Sequence, residues 1–366
     1  MIGIKLPHGT LDLPTFLPDA TRGYIRAVDS QDLVNCGIQA VVMNTYHLML
    51  NPGVSTVQAL GGVHAMSGWR GPIFTDSGGF QIYSLIHQNN KYGTITGKGA
   101  VFYGGEGVGK RKYQLTPQKS IQYQVNFGAD VLFCLDDCTH VDAPEEVQKE
   151  SVRRTIEWAR RSKQVYSELL EKKAIPAEKR PLIYAILQGG GSLELRKECA
   201  SELLEIGFDG YGYGGWPLDR QGNLLVEMLA TVRELIPGQF PLHALGVAAP
   251  ENVVRCSQIG YDLFDGAMPT RDARHGRLYV FNQDPTTIMG GLSGNWLSYV
   301  YLFDKRHTRT KAPLSESCGC LCCQNYSVGY LHHLYKCDDS LAWRLGTLHN
   351  LRFMSDLLSI CQKQSR

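Results

Sequence analysis

Short runs of apolar and β-branched residues recur along the chain, and each run ends at a polar side chain. The run at residues 72–75 stops at Asp76, and two glycines follow closely. Four other runs end in the same way, at Asn44, Asp136, Gln188 and Asp265. Runs of this length, bounded by turn residues, predict buried strands. If these strands are neighbours in one parallel sheet, their polar ends converge at one edge of it.

Strand-like runs alternate with helical periodicity over most of the chain. The predicted strands cover residues 39–44, 72–76, 130–136, 182–188, 208–213, 242–247, 261–265 and 277–281. Helical patterns occupy residues 30–36, 117–127, 144–171, 193–206, 222–236 and 250–259. Eight β/α units predict an α/β fold of the (β/α)8 TIM-barrel type, whose active site lies at the carboxyl ends of the strands. A doubly wound open sheet is the alternative, because periodicity alone does not show closure.

Three stretches depart from this alternation. Residues 2–16 are β-like, residues 88–115 predict an inserted β-hairpin, and residues 282–311 show no clear period. We therefore expect a catalytic barrel at residues 1–311, with an N-terminal β extension and the insertion. A small helical subdomain is expected at residues 312–366.

Composition narrows the class of protein. The 366 residues are 43% hydrophobic and 20% charged, with a net charge of +2, as in an ordinary globular protein. A polycationic nucleic-acid binder is excluded, so contacts to phosphates must come from local groups such as Arg271 and Arg274. Basic runs are also common on solvated faces. The chain has no apolar run of roughly 20 residues and no signal-peptide pattern at its start, which predicts a cytoplasmic protein without membrane contact.

Four of the eleven cysteines crowd into residues 318–323. Cys318, Cys320 and Cys323, together with His349, supply three thiolates and an imidazole, which is the closed ligand set of a structural Zn²⁺ site. Such a site would stabilise a C-terminal piece too small for its own core. The alternative ligands are Cys322 for a thiolate and His332 or His333 for the imidazole.

Residues 104–111 are one residue short of a phosphate-binding loop. Arg111 stands where Ser or Thr would hold magnesium, and the residues after it predict a strand rather than a helix. A turn that carries basic residues is therefore favoured over a nucleotide site.

The strand-end carboxylates Asp76, Asp136 and Asp265 each have an ordinary explanation as helix caps or turn acceptors. At one barrel mouth they form a candidate site, because paired acids serve glycosidic-bond chemistry. Gly214-Gly215 either simply ends its strand or, beside Gln188, presents backbone donors to a carbonyl oxygen.

With these residues placed, the chain resembles the tRNA-guanine transglycosylase (queuine tRNA-ribosyltransferase) family over nearly its whole length. The stretches that carry the resemblance are Asn44-Thr45-Tyr46-His47-Leu48, Thr75-Asp76-Ser77-Gly78-Gly79-Phe80-Gln81, Leu187-Gln188-Gly189-Gly190, Gly207-Phe208-Asp209-Gly210-Tyr211, Phe264-Asp265-Gly266-Ala267-Met268-Pro269-Thr270-Arg271, and the cysteine cluster with His349-Asn350. The resemblance implies a zinc-containing barrel that exchanges a guanine in tRNA, usually at the anticodon wobble position, for a 7-deazaguanine base such as preQ1 or queuine.

The resemblance also implies roles for individual residues. Asp265 would be the nucleophile that forms a covalent RNA intermediate, and Asp76 would be the general acid and base. The implied base-binding set is Asn44, Ser77, Phe80, Asp136, Gln188, Gly214, Gly215 and Leu245. Arg271 and Arg274 would hold tRNA phosphates, and the zinc region would support a homodimer.

Residues 216–220 depart from the family pattern, since Trp216 and Pro217 follow Gly215. These residues border the 7-substituent of the incoming base, so the identity of that base stays open.

Two other functions stay open as well. One is a non-catalytic RNA-binding paralogue that partners an active subunit, although both acids are present. The other is the same chemistry on DNA.

Overall fold

The computed structural model describes residues 3–104, 111–288 and 292–364, whose strands and helices are numbered here in chain order. The strands are β1 (Gly3–Leu6), β2 (Gly9–Asp12), β3 (Thr15–Pro18), β4 (Val41–Met43), β5 (Ile73–Thr75), β6 (Gly93–Thr96), β7 (Gly99–Gly104), β8 (Arg111–Leu115), β9 (Val131–Phe133), β10 (Leu182–Leu187), β11 (Gly210–Tyr213), β12 (Leu242–Ala244), β13 (Leu263–Gly266), β14 (Arg277–Phe281) and β15 (Leu297–Tyr301). The helices are α1 (Ser30–Asn35), α2 (Thr45–Leu50), α3 (Val54–Ala59), α4 (Gly62–Ser67), α5 (Gly79–Gln88), α6 (Pro117–Phe127), α7 (Glu145–Lys172), α8 (Leu193–Ile206), α9 (Val226–Leu235), α10 (Pro250–Ile259), α11 (Met268–Arg274), α12 (Leu321–Asn325), α13 (Val328–Lys336) and α14 (Ser340–Gln364).

Eight strands form one parallel sheet in the order β3-β13-β12-β11-β10-β9-β5-β4. The last strand in this order, β4, pairs with the residues that directly follow the first strand, β3, through a parallel bridge between Val42 and Asp19. The amide of Ala20 donates to Val42 O (2.7 Å), and the amide of Asn44 donates to Thr21 O (3.1 Å). The sheet therefore closes on itself, and the predicted (β/α)8 barrel is confirmed.

One predicted barrel strand is wrong. Residues 277–281 form β14, which pairs antiparallel with β15 outside the barrel. The missing barrel strand is β3, which the sequence pattern assigns to the N-terminal extension. All four of its residues are buried because it lies between β13 and the start of the barrel at β4. A short apolar run has the same composition in a barrel strand and in a strand outside the barrel, so the sequence of the run does not predict its pairing partner.

The amino end of the barrel is filled by apolar side chains. The β1–β2 hairpin contributes Ile4, Leu6 and Leu11 to the same buried cluster as Phe74 and Leu263 of the barrel strands. The interior below the carboxyl ends is thus a packed core, as in other barrels of this class.

Two additions surround the barrel. The insertion at residues 88–115 is a three-stranded antiparallel sheet of β6, β7 and β8 rather than a single hairpin. The glycine-rich residues 105–110 lie outside the described residues, while β8 confirms the strand expected after them.

The long α14 packs against α10, α11 and β3, and Arg344 on it pairs with Asp32 of α1 (2.6 and 3.0 Å). Within the described ranges, no helix is long and apolar enough to cross a bilayer.

Candidate active site

A layer of polar side chains lies directly above the apolar filling of the barrel. Each of these side chains comes two residues after a buried side chain of the interior cluster. The pairs are Leu17 and Asp19, Val42 and Asn44, Phe74 and Asp76, Ile186 and Gln188, and Leu263 and Asp265. Side chains alternate between the two faces of a strand, so the second member of each pair also faces the axis, one step nearer the carboxyl end.

Four members of this layer, namely Asp19, Asn44, Asp76 and Asp265, form the floor of a cavity of about 610 Å³ at the carboxyl ends of the strands. The predicted site residues on its wall are Asn44, Asp76, Ser77, Phe80, Asp136, Gly214, Gly215, Leu245, Asp265 and Arg271. Two predicted residues lie off the wall. Gln188 is fully buried behind Asp136, and Arg274 is turned aside, with its Nη1 donating to Thr270 O (2.9 Å).

Asp265 is held through one of its two carboxylate oxygens. Its Oδ1 accepts from His243 Nε2 (2.8 Å) and from the amide of Gly246 (2.9 Å). His243 is fully buried, and its Nδ1 has no hydrogen-bond partner among the described residues. The ring is flanked by Phe74 and Phe133 at centroid distances of 6.2 and 5.6 Å. Nε2 is the ring nitrogen that donates to Asp265, because a carboxylate oxygen can only accept.

Asp76 sits at the end of β5 in a ring of donors. Its Oδ1 accepts from the amides of Thr45 (2.9 Å) and Gly78 (3.1 Å), and its Oδ2 accepts from Asn44 Nδ2. Asn44 is itself fixed, because its Oδ1 caps α2 by accepting from the amide of His47 (2.9 Å). Burial nevertheless raises the pKa of Asp76 to about 7, with the two backbone donors opposing the shift. The group can therefore hold or release a proton near neutrality.

Asp136 lies across the cavity from Asp265 with Gln188 behind it. Gln188 Nε2 donates to Asp136 Oδ2 (2.7 Å), and Ser77 Oγ donates to Oδ1 (3.4 Å). Burial raises the pKa of Asp136 to about 6 in spite of these donors. Gly214 must be glycine here, because a Cβ would lie 2.6 Å from Gln188 Nε2. The close approach brings the backbone of residues 214–215 beside the amide and the carboxylate.

Arg196 ties two strand ends of this pocket together from behind. It is fully buried, and its Nη1 donates to Leu187 O (2.5 Å) and Gly214 O (3.0 Å). Its Nη2 donates to Gly190 O (3.1 Å). The carbonyl-rich ends of β10 and β11 are thereby fixed relative to each other.

Aromatic rings form one rim of the cavity. Phe80, which is 48% exposed, packs against Trp216 with ring centroids 5.3 Å apart. Tyr83 and His140 contact the same indole at 5.9 and 5.3 Å. Leu245 lies on the wall of the same cavity, so apolar groups are available to pack on a flat ligand.

Cationic side chains flank the cavity on the side of β13 and α11. Arg271 lines it, and Arg274 lies near both Arg271 and Arg26. Burial and these two neighbouring guanidinium groups lower the pKa of Arg274. Arg271 at the cavity, with Arg274 near it and Arg26 near Arg274, creates a local positive field on a chain with little net charge.

Cys318, Cys320, Cys323 and His349 form one buried cluster whose ligand atoms lie within 4.8 Å of one another. The three sulfurs lie 3.7, 3.7 and 3.3 Å from His349 Nδ1. A tetrahedral Zn²⁺ site separates sulfur and nitrogen ligands by roughly 3.6 Å, so the residues fit a single ion. His349 Nε2 donates to Tyr279 O (2.6 Å), which leaves Nδ1 free to act as the ligand.

The alternative metal ligands have other surroundings. Cys322 is buried but lies outside the four-residue group, and His332 Nδ1 is hydrogen-bonded to Leu302 O (2.6 Å). His333 is exposed beside Cys337. The cluster can therefore hold a metal ion through the four residues predicted from the sequence.

Three residues of the site were missing from the sequence prediction: Asp19, His243 and Arg196. Asp19 was missed because β3 was not recognised as a barrel strand. The signal was present, since Leu17 and Asp19 repeat the spacing of Phe74 and Asp76. His243 and Arg196 gave no such signal, because their roles depend on contacts with distant residues.

The closed barrel and the carboxylate-lined mouth define a (β/α)8-barrel enzyme, because active sites of this fold lie at this face. The sequence matches the family profile described as queuine tRNA-ribosyltransferase over residues 2–364. The chain is 34% identical over 356 residues to the queuine tRNA-ribosyltransferase of Syntrophobacter fumaroxidans, an overlap that covers 97% of this chain and 87% of that protein. It is 35% identical over 356 residues to the protein of the same name from Marinobacter nauticus, with the same coverage. The corresponding protein of Thermotoga neapolitana is 34% identical over 351 residues, 96% of this chain and 86% of that protein.

The chain therefore belongs to the queuine tRNA-ribosyltransferase family, whose named activity is that of a pentosyltransferase. The resemblance inferred from the sequence motifs is confirmed.

Proposed function

We propose that this protein is a tRNA-guanine transglycosylase that replaces guanine at the anticodon wobble position with a 7-deazaguanine base such as preQ1 or queuine. The observation that carries the proposal is that two differently supported carboxyl groups, Asp265 and Asp76, line one cavity together with Asp136 and Gly215. The family membership supports the tRNA substrate and, with it, a cytoplasmic location.

Asp265 is the nucleophile in this proposal. His243 and Gly246 hold Oδ1, so Oδ2 is left to attack ribose C1′. The Oδ2–C1′ bond forms as the glycosidic bond to guanine N9 breaks, and the bonding electrons leave with guanine. The incoming base then attacks C1′ and releases Asp265 as a carboxylate. One glycosidic bond replaces another, so no separate energy source is needed.

Asp76 moves the proton that this exchange requires. With its pKa raised to about 7, it can protonate the departing guanine and later accept the N9 proton of the incoming base. The two half-reactions return the group to its starting state. The donors from Thr45, Gly78 and Asn44 stabilise its ionised form between them.

Guanine recognition follows from the polarity of its edge. Ionised Asp136 accepts from N1–H and N2–H, and the amide of Gly215 donates to O6. One Nε2 hydrogen of Gln188 is held by Asp136, and the other is the second donor proposed for O6. Adenine presents the opposite polarity and would leave Asp136 buried without a donor. Phe80 and Leu245 pack on the ring faces. The target base must leave the anticodon stack to enter this cavity, and Arg271 and Arg274 bind phosphates of the opened loop.

The metal in this proposal is Zn²⁺, held by Cys318, Cys320, Cys323 and His349. All four positions are taken by protein ligands, so the ion serves folding rather than chemistry. Dimerisation through this region belongs to the same proposal and is supported only by the family resemblance.

Exchange of radiolabelled guanine into unmodified tRNA tests the proposal. The wild-type protein is expected to incorporate label, and Asp265→Asn is expected to lose it because an amide is a poor nucleophile. The matched control is Asp12→Asn, an exposed residue at the other end of the barrel. Absence of exchange by the wild-type protein would favour the non-catalytic paralogue.

A further inference from the structure

One carboxyl group of the cavity has no task in the proposed chemistry. Asp19 follows β3 directly and lines the cavity, and its carboxyl group makes no hydrogen bond to any residue in the described ranges. Asp265 and Asp76 both have protein partners. A polar group that faces a cavity without a protein partner is available to a ligand.

The order of strands around the barrel indicates which part of a ligand Asp19 faces. Gln188 ends β10, and four strand steps in either direction separate β10 from β3. Asp265 lies on β13, which is the neighbour of β3. Under the proposed function, guanine lies against Gln188 and its C1′ lies at Asp265. The sugar therefore extends away from the base pocket, towards Asp19.

The surroundings of Asp19 favour the protonated form of its carboxyl group. Burial, followed by the nearby charges of Asp265 and Asp76, raises the pKa of Asp19 well above its ordinary value. A neutral carboxyl group offers one O–H donor and a carbonyl acceptor, and a ribose hydroxyl offers the complementary pair. It also avoids a further negative charge beside the phosphates of the RNA.

We propose that Asp19 hydrogen-bonds to a ribose 2′-hydroxyl, on the exchanged nucleotide or on one of its two neighbours, and thereby makes the enzyme prefer RNA to DNA. The inference rests on the proposed function, because it uses the position of the base and of C1′. A deoxyribose at that place leaves the carboxyl group of Asp19 without this partner.

Single-atom changes in the substrate test this proposal. The substrates are anticodon stem-loop RNAs with ribose throughout, or with one 2′-deoxynucleotide at the exchanged position, its 5′ neighbour or its 3′ neighbour. The enzymes are the wild type, Asp19→Leu, Asp19→Asn and the control Asp12→Leu. Leucine has the shape of aspartate without its polar atoms, whereas asparagine keeps a donor and an acceptor. The measurement is kcat/KM for exchange of labelled guanine.

For the wild type, kcat/KM is expected to be about two- to twelve-fold lower with one of the three deoxy substrates than with the all-ribose RNA. This factor corresponds to the contribution of one neutral hydrogen bond. In Asp19→Leu this penalty should disappear at the same position, while Asp19→Asn and Asp12→Leu should retain it. Comparing ratios cancels any intrinsic effect of the 2′-hydroxyl on reactivity.

The position at which the penalty disappears identifies the ribose. An unchanged penalty at all three positions in Asp19→Leu overturns the proposal. If thermal unfolding shows that Asp19→Leu is poorly folded, Asp19→Ala makes the same comparison. A wild-type protein that exchanges no guanine into all-ribose RNA defeats the proposed function itself, and the two failures are thereby distinguished.

Discussion

Guanine binding is expected to weaken as the pH falls below about 6, because the proposed reader of the guanine edge must be ionised. Asp136 accepts two N–H groups only as a carboxylate, and burial raises its pKa to about 6. The bound base stabilises the anion, so affinity is present above the pKa of the free protein and is lost as the pH falls through it. This direction is opposite to that of a site that binds through a protonated histidine.

The size of the effect follows from the fraction of ionised Asp136. The apparent dissociation constant rises by a factor of 1 + 10^(pKa − pH), which is roughly 1.1 at pH 7, roughly 2 at pH 6 and roughly 11 at pH 5. In Asp136→Asn the pH dependence should vanish. The affinity should also fall by at least roughly tenfold, because hydrogen bonds to a charged acceptor contribute about 1.5 to 3 kcal/mol each.

Isothermal titration calorimetry with guanine between pH 5 and pH 8 measures this directly. The titrations are best done on Asp76→Asn, because this change removes a cavity carboxyl group whose pKa, at about 7, lies inside the range of the titration. Asp12→Asn serves as the control for a lost surface carboxylate. A dissociation constant that stays within twofold over this range refutes the assignment of Asp136 as the reader. The assignment is also refuted if the dissociation constant of Asp136→Asn depends on pH as strongly as that of the protein with Asp136 intact.

Two further predictions concern the metal cluster and the support of the nucleophile. Cys320→Ser is expected to lower both the zinc content, measured by mass spectrometry, and the Tm. The control Cys337→Ser, at an exposed cysteine, should change neither quantity. Full retention of zinc in Cys320→Ser would contradict the proposed ligand set. His243→Phe removes the donor to Asp265 and is expected to lower kcat about tenfold to hundredfold with guanine affinity unchanged. The exposed His333→Phe is its control, and an unchanged kcat in His243→Phe would show that the nucleophile needs no such support.

The helices were the most predictable part of the fold, because their ends carry local signals. Residues 117–127 were predicted as a helix and form α6, which Thr116 caps by accepting from the amide of Lys119. Gly128 ends it in the left-handed region at φ 76°. The helix predicted at 222–236 begins later, at Val226, because Asp219 accepts from the amides of Gln221 and Asn223 and holds that segment in a turn.

The strands were less predictable, because pairing is decided between distant residues. The apolar run of β14 looks like a barrel strand, but its partner is β15. The run of β3 follows Pro14 and ends at Pro18, and only its position between β13 and β4 makes it a barrel strand. The misassignment had a chemical consequence, since it hid Asp19 from the candidate site.

In the candidate site, too, local features could be predicted from the sequence and contacts between distant residues could not. Carboxylates at strand ends and cysteines at short spacing are visible in the sequence, and the structure brings Asp76, Asp136 and Asp265 to one cavity. The hydrogen bond from His243 to Asp265 and the bonds from Arg196 to two strand ends depend on buried contacts that no local pattern encodes.

The most direct test of the account is to find which side chain becomes bonded to RNA during the exchange. A stem-loop RNA is incubated with the enzyme, the complex is denatured and digested, and mass spectrometry locates the ribonucleotide-bearing peptide. We predict an ester at Asp265 that forms in the wild type and in Asp136→Asn at saturating RNA, and is absent from Asp265→Asn. An adduct on Asp76, or one that survives in Asp265→Asn, would contradict the assignment of the nucleophile and the mechanism built on it.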